Sequence, residues 1–492
     1  MSQNFTAGRE PVDGRMLIDG RMVESVDVQW LDSINPADET LLGRVPAGTR
    51  RDMDLAVAAA AKAQPAWAAL PMARRAEIVN ALADAIAPRA EEFAHLEALD
   101  TGNTLAPMRG DVKNAIERIR FAAGLVFEMK GETVPSTPGG LHMTIRVPFG
   151  VVGRIVPFNH PMMFAASRIA AAIVTGNTTV IKPAEQSPLS ASLLGEICAQ
   201  VLPPGVANIV TGGRDTGEAL VRHPLVKRIA FIGSPMSGMA IQRAAAETAV
   251  KNVTLELGGK NPLIAFPDAD PDKVAAAAVN GMNFGWQGQS CGSTSRILLH
   301  EDMHDTVVEK IVERVRKIKV GHPLDPQAQM GPINSKAQYQ KVLSYIDVGR
   351  TEGGKLLAGG GVPKGDLFKK GYWVEPTVFG EMNRSMRLAR EEVFGPVMSV
   401  FRFRTEDEAI AIANDVDLGL TAAIWTNDLQ RALRLARRVE AGYVWINGVS
   451  AHFRGVPFGG FKNSGIGREE GIGELLSYTE EKAINIVAGA GE

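Results

Sequence analysis

The stretch VVGRIVPFNHPMMFAASRIAAAIVTGNTTVIKP, residues 151–183, decides how this chain folds. VVGRIVPF is a short apolar run, the pattern of a buried strand. MMFAASRIAAAIVTG then reads as a helix stopped by Gly176 and Asn177. TTVIKP is a second run of strand length. Working outwards, PLSASLLGEICAQVL reads as the next helix, ANIVTG and KRIAFIG as further strands, and TGEALVRH as the helix between them. Strand–helix units of this length favour right-handed parallel crossovers. The expected architecture is a doubly wound α/β sheet, which places ligands at the carboxyl ends of its strands.

Upstream, residues 50–129 are rich in Ala, Glu and Arg. DMDLAVAAAAKAQPAWAAL and RRAEIVNALADAIAPRAEEFAHLEALDTG read as surface helices. Downstream, a second series of strand signals runs through NPLIAF, SRILLH, PVMSVFRF, AAIWTN and GYVWIN, and predicts a second α/β unit. A chain of 492 residues is too long for one ordinary core, so two large domains are the natural reading. Basic and acidic residues nearly balance, 53 against 55, which gives no charge argument for nucleic acid or a membrane surface. Two cysteines cannot build a disulfide framework, and this fits a reducing cytoplasm. The start, MSQNFTAGREPVDG, lacks the charged and apolar regions of a signal peptide.

Cys198 sits on an apolar helical pattern and reads as core. Cys291 does not. It lies in NFGWQGQSCGSTSR, residues 283–296, where Gly288 and Gly292 are expected to clear space around the sulfur. Glu256, in VTLELGGKNP, lies inside an otherwise apolar strand and is followed by Gly258 and Gly259. A carboxylate there can have its pKa raised and serve as a general base. Asn159, just past a strand end in IVPFNHP, is either a turn residue or an N–H donor aimed at an oxyanion. Lys182 and Glu185 follow the next strand end. Gly233, Ser234 and Gly238 in FIGSPMSG mark a strand-to-helix turn whose backbone N–H groups can meet a phosphate. HEDMH, residues 300–304, matches a zinc-protease pattern, but His300 closes a strand and the helix is expected to begin only around 302–305. The two rings then diverge, and no metal site is expected.

The pieces PFNHP, VIKPAE, FIGSPMSG, LELGGK, GQSCGS, EEVFGPV and PFGGFKNSGIGRE occur in an order and at separations that closely resemble the NAD(P)-dependent aldehyde dehydrogenase superfamily, over nearly the full chain. The resemblance implies a Cys291 nucleophile, a Glu256 base for thioester hydrolysis, and an oxyanion held by the Asn159 side chain and the Cys291 backbone N–H. It implies an NAD cleft lined by Ile155, Pro157, Phe158, Lys182, Glu185, Gly233, Ser234, Leu257, Gly258, Gln338, Glu392 and Phe394. Glu185 favours NAD, because a carboxylate repels the 2′-phosphate of NADP, although Arg214 can soften that choice. An aldehyde tunnel is implied near His160, Met163, Phe164, Ser167, Gly285, Ser290, Gly292, His452 and Phe458. Phe158 stands where Trp is usual, His160 where Phe is frequent, and Arg168 where many members have Lys.

The same resemblance implies a cofactor-binding domain of residues 1–129 and 148–258, to which 449–477 return, and a catalytic domain of 259–448. Residues 130–147 and 478–492 are the implied oligomerisation arm, so a homodimer or homotetramer is expected. Small residues with Phe164, Trp286 and Phe458 predict a roomy tunnel for aromatic or medium-chain aldehydes. Arg454 offers a rival reading, a clamp for the carboxylate of a semialdehyde. Glu256 argues against coenzyme A acylation, and the intact Cys291, Glu256 and Asn159 argue against a non-catalytic crystallin-like role.

Overall fold

A computed structural model describes residues 11–138 and 140–487. The first ten residues of the supposed leader-free start and residues 488–492 of the expected arm lie outside the described residues.

The expected strands and crossovers form. Val151–Ile155, Thr178–Lys182, Ala207–Ile209, Val226–Ile232 and Asn252–Glu256 are five parallel strands at the centre of one sheet. Their order puts Val151–Ile155 between Thr178–Lys182 and Val226–Ile232, so the chain turns outwards in both directions from it. The helix Pro161–Val174 is wholly buried and connects the first two strands. Antiparallel strands extend both edges of this sheet. Met16–Ile18 and Arg21–Val23 add at one side, and Gly465–Ile466 adds beside Leu255 and Glu256 at the other.

The second sheet runs Lys355–Ala358, Thr377–Gly380, Val397–Phe403, Arg296–His300, Pro262–Ala265, Thr421–Trp425 and Tyr443–Ile446, all parallel except its first strand. A third, small sheet pairs Thr479–Ile486 with Leu141–Pro148, and Thr133–Val134 lies on its far side. Among the described residues no helix is long and apolar enough to cross a membrane.

The helices before residue 130 correct the surface reading. RRAEIVNALADAIAPRAEEFAHLEALDTG is two helices, Met72–Ile86 and Ala90–Thr101, separated by a turn at Pro88. Pro88 has no N–H to continue the ladder. Most of Ala90–Thr101 is buried, Phe93, Leu96, Glu97 and Asp100 included. A third helix, Leu105–Leu125, packs on Pro161–Val174 and carries Asp111 inward. The alternation of polar residues concealed this, because Glu97 and Asp100 are buried by hydrogen bonding. Glu97 accepts from Met162 N and Ser190 Oγ, and Asp100 accepts from Leu189 N and Ser33 Oγ. Burial pushes Glu97 up to about 8 and Asp100 to about 7.

Phe93 is fully buried in the largest apolar cluster, beneath the helices that carry Asp111 and Asn159's neighbours. Phe93→Ala should cost about 3–5 kcal/mol by leaving a cavity there. A clear fall in the midpoint of denaturant unfolding is the expected outcome, and an unchanged midpoint contradicts this packing.

Candidate active site

A single backbone crossing between the two sheets builds the site. The first sheet ends at Glu256, and Leu257–Asn261 carries the chain into the second sheet, which begins at Pro262. Ser464 stitches the crossing: its carbonyl accepts from Leu257 N (2.9 Å), its Oγ donates to Gly258 O (2.6 Å), and Gly419 N donates to the same Oγ (2.9 Å). Asn261 then holds the cysteine loop. Its Nδ2 donates to Cys291 O (2.7 Å) and Ser293 O (2.9 Å), while its Oδ1 accepts from Thr421 N (3.0 Å). The sequence reading missed Ser464 and Asn261. The only trace of either was a small or amide residue adjoining a glycine motif.

Cys291 is partly exposed at the wall of a cavity of about 280 Å³. Glu256 lines the same cavity, is 4% exposed, and no nitrogen or oxygen donor among the described residues reaches either of its carboxylate oxygens. Burial, then the negative charge of Glu469, push Glu256 up to about 8. Burial and the adjoining Glu256 carboxyl raise the Cys291 thiol well above its ordinary range. Cys198 is buried in its helix, and burial alone raises it to about 12. Asn159 is buried, and its Nδ2 donates to Gln289 O (2.9 Å), which fixes the amide against the cysteine loop. Asn103 Nδ2 in turn donates to Asn159 O (2.9 Å). Asn159 does not itself line the cavity that holds Cys291.

Gly288 is not there to clear space at the sulfur. It has φ +69°, and a Cβ would lie 2.3 Å from Gly395 O, so the backbones themselves approach. His160, Met163, Phe164, Ser167, Ser290, Gly292, His452 and Phe458 all line the cavity with Cys291, as do Trp286 and Arg454. Gly285 does not belong there: its Cβ direction runs into Pro107. Arg454 is exposed at the cavity and is ion-paired to Glu117, so its guanidinium is already matched. The sequence reading missed Asp111 and Arg118, which enter from the helix Leu105–Leu125. It also missed Glu469, Glu470 and Glu474 from the returning segment. Arg168 pairs with Glu469 and Glu474, Arg154 with Glu469, and Arg118 with Glu470.

On the other side of the crossing, Glu392 Oε1 accepts from Gly259 N (2.9 Å), and a Cβ on Gly258 would lie 2.0 Å from Glu392 Oε2. Phe394 has φ +55° and meets Phe158 edge to face at 5.7 Å. Gln338 Nε2 donates to Val393 O and Phe394 O, so its amide supports this loop. Ile155 packs against the cluster of Phe231, Leu255 and Leu257, and Pro157 follows its strand. Lys182 closes its strand and is buried, which lowers its amine, while Glu185 is exposed nearby over Gly213. Gly233 follows its strand, and Ser234 caps the helix Pro235–Ala246 by accepting from Ser237 N. In HEDMH the helix starts at Glu301, earlier than expected, because His300 itself is the cap. Its Nδ1 accepts from Asp302 N, and its Nε2 bonds Arg404 O.

Cys291 thus lies beside a desolvated carboxylate where the carboxyl end of the first sheet meets the amino end of the second. The aldehyde dehydrogenase family model matches residues 22–484, and the chain belongs to that family. It is 44% identical to aldehyde dehydrogenase tropH of Talaromyces stipitatus, over 99% of this chain and 96% of that one. It superposes on the NAD-dependent aldehyde dehydrogenase of Sinorhizobium meliloti with a TM-score of 0.95, at 37% identity, covering 98% and 96% of the two chains. A betaine aldehyde dehydrogenase from Staphylococcus aureus, solved in complex with NAD+, matches at a TM-score of 0.94 and 38% identity, over 96% and 95%.

The thiol's surroundings predict its reactivity in the unliganded protein. Alkylation of Cys291 by iodoacetamide, followed by peptide mass spectrometry, should keep accelerating with pH well past neutrality. Glu256→Gln removes the largest cause after burial and should move the profile to lower pH. A wild-type profile already flat below pH 8 contradicts the geometry.

Proposed function

We propose that this aldehyde dehydrogenase is the NAD-dependent, hydrolytic kind, with Cys291 as nucleophile, Glu256 as base and Asn159 as oxyanion donor. The observation that carries the reading is the Glu256 carboxyl, reached by no nitrogen or oxygen donor among the described residues, facing the Cys291 thiol across one cavity. When Glu256 is ionised it is the base beside the thiol and can take its proton. The Cys291 sulfur adds to the aldehyde carbon, and the carbonyl π pair moves to oxygen, which the Asn159 side chain and the Cys291 backbone N–H hold. Bound NAD supplies the hydride acceptor through which the cysteine-bound adduct becomes a thioester. Glu256, having released the thiol's proton to solvent, then removes a proton from water as its oxygen attacks the acyl carbon, and returns it to the leaving sulfur. The C–S bond breaks, and the carboxylic acid leaves with the thiol restored.

The residues fit that cofactor. Gly258 lets the Glu392 carboxylate close against the backbone, where Gly259 N holds it, so Glu392 is fixed in place. Lys182, Glu185 and the capped start of Pro235–Ala246 lie at strand ends, where a dinucleotide's ribose and pyrophosphate are bound in such sheets. In this reading residues 1–129 and 148–258, with 449–477, bind the cofactor and 259–448 carry the chemistry. The strands of 130–147 and 478–487 form an arm whose exposed Leu141, Ile145, Ile486 and Val487 suit pairing in a homodimer or homotetramer. A cytoplasmic enzyme suits two unpaired cysteines. The tunnel walls, Phe164, Trp286 and Phe458 among them, favour aromatic or medium-chain aldehydes over acetaldehyde, at about 0.8 kcal/mol per buried methylene. Arg454, neutralised by Glu117, gives a semialdehyde clamp less support.

Because Glu256 is held near 8, it is protonated below that pH and cannot accept a proton. Where deacylation limits turnover, kcat should rise as pH passes upward through about 8, and Glu256→Gln should lower kcat and flatten the profile. Cys291→Ala should abolish turnover. Near-normal turnover of Cys291→Ala refutes the mechanism.

Glu185 should make kcat/KM higher with NAD than with NADP, and Glu185→Ser should narrow the gap. A native preference for NADP contradicts the role given to Glu185.

A further inference from the structure

His160 is held in the cavity wall more firmly than a packing residue requires. Its Nδ1 lies 2.7 Å from Asp111 Oδ2, and the same oxygen accepts the indole N–H of Trp286 at 3.2 Å. Asp111 is 3% exposed and reaches in from the helix Leu105–Leu125. Phe164 meets the imidazole edge to face at 5.6 Å, and Trp286 lies against it at 5.3 Å. The ring therefore cannot turn without losing both aromatic contacts and the bond to a buried carboxylate. An oxygen that accepts from an indole is an acceptor, so the proton of the shared bond sits on Nδ1. With Nδ1 donating, an uncharged imidazole carries its lone pair on Nε2. That nitrogen makes no hydrogen bond to any described residue, yet it is not among the sealed polar atoms, and His160 lines the cavity that holds Cys291. Most of the surrounding wall is aromatic or apolar. An aldehyde with no polar group beyond its carbonyl would cover this acceptor without pairing it, which is costly.

We propose that His160, positioned by Asp111, selects aldehydes that carry a hydroxyl group, and that the natural substrate is a hydroxylated aromatic aldehyde whose O–H donates to Nε2. This rests on the aldehyde-oxidising reading above and deepens it. The aromatic walls take the ring, and the imidazole reads its substituent. Asp111 is a positioning residue, since it fixes which nitrogen faces the substrate and does not itself reach it.

The test is the ratio of kcat/KM, with NAD, for 2-, 3- and 4-hydroxybenzaldehyde against benzaldehyde. At least one hydroxy isomer should lead benzaldehyde by roughly tenfold, the discrimination a site built to bond an O–H can give. His160→Phe should bring that ratio to about one, and Asp111→Asn should lower it, with melting temperatures showing that both variants fold. Calorimetry on Cys291→Ala gives the same ratio as dissociation constants without any turnover. A preserved affinity ratio in the absence of any wild-type oxidation would sink the aldehyde-oxidising reading while supporting His160. The proposal is overturned if benzaldehyde matches every hydroxy isomer, if the lead survives His160→Phe, or if 4-formylbenzoate leads instead, which would require a donor at Nε2.

Discussion

The structure turns on one uncompensated group. A buried carboxylate without nitrogen or oxygen donors is expensive, and proteins rarely keep one without a use for it. Glu256 stays there because its strand is fixed on both sides, against Val226–Ile232 and against Gly465–Ile466, and because the next residues must cross into the second sheet. The cost appears as a carboxyl held near 8 and a thiol held above its ordinary range. Both groups are therefore poised as a pair: ionisation of one disfavours ionisation of the other.

Around that pair the fold supplies rigidity. Ser464 and Asn261 each bond backbone from more than one element, and so tie the crossing and the cysteine loop to the second sheet. The returning segment brings Glu469, Glu470 and Glu474 to the cavity, where Arg154, Arg168 and Arg118 match them. Glu470, although buried, is held down to about 2 by His452 and Arg118. Charge is thus plentiful near the cavity but mostly paired, and Glu256 stands out by lacking an ion-pair partner among the described residues.

Much of this was legible in the sequence. The strand–helix alternation of residues 151–183 specified the sheet, because apolar runs bounded by Gly and Pro leave few other readings. Cys291 and Glu256 drew attention because polar residues beside glycines are hard to explain by packing, and Asn159 because it follows a strand end. What was not legible came from distance in the chain. Nothing local marks Asp111 as a partner of His160, 49 residues away, or Ser464 as a bridge to Gly258, 206 residues away. Glu97 and Asp100 misled the surface reading, since a polar residue on a helix looks solvated until its buried donors are known. Gly288 and Gly285 misled it in another way, because a glycine signals close approach without saying of what.

The most direct test of the account is to catch the acyl group on its sulfur. Glu256→Gln mixed with benzaldehyde and NAD, quenched in acid and digested, should yield the peptide carrying Cys291 heavier by one benzoyl group, while the peptide carrying Cys198 stays unmodified. A Cys291 peptide of unchanged mass, from a variant that has nonetheless formed NADH in a first turnover, would contradict the central role given to this cysteine and its neighbouring carboxylate.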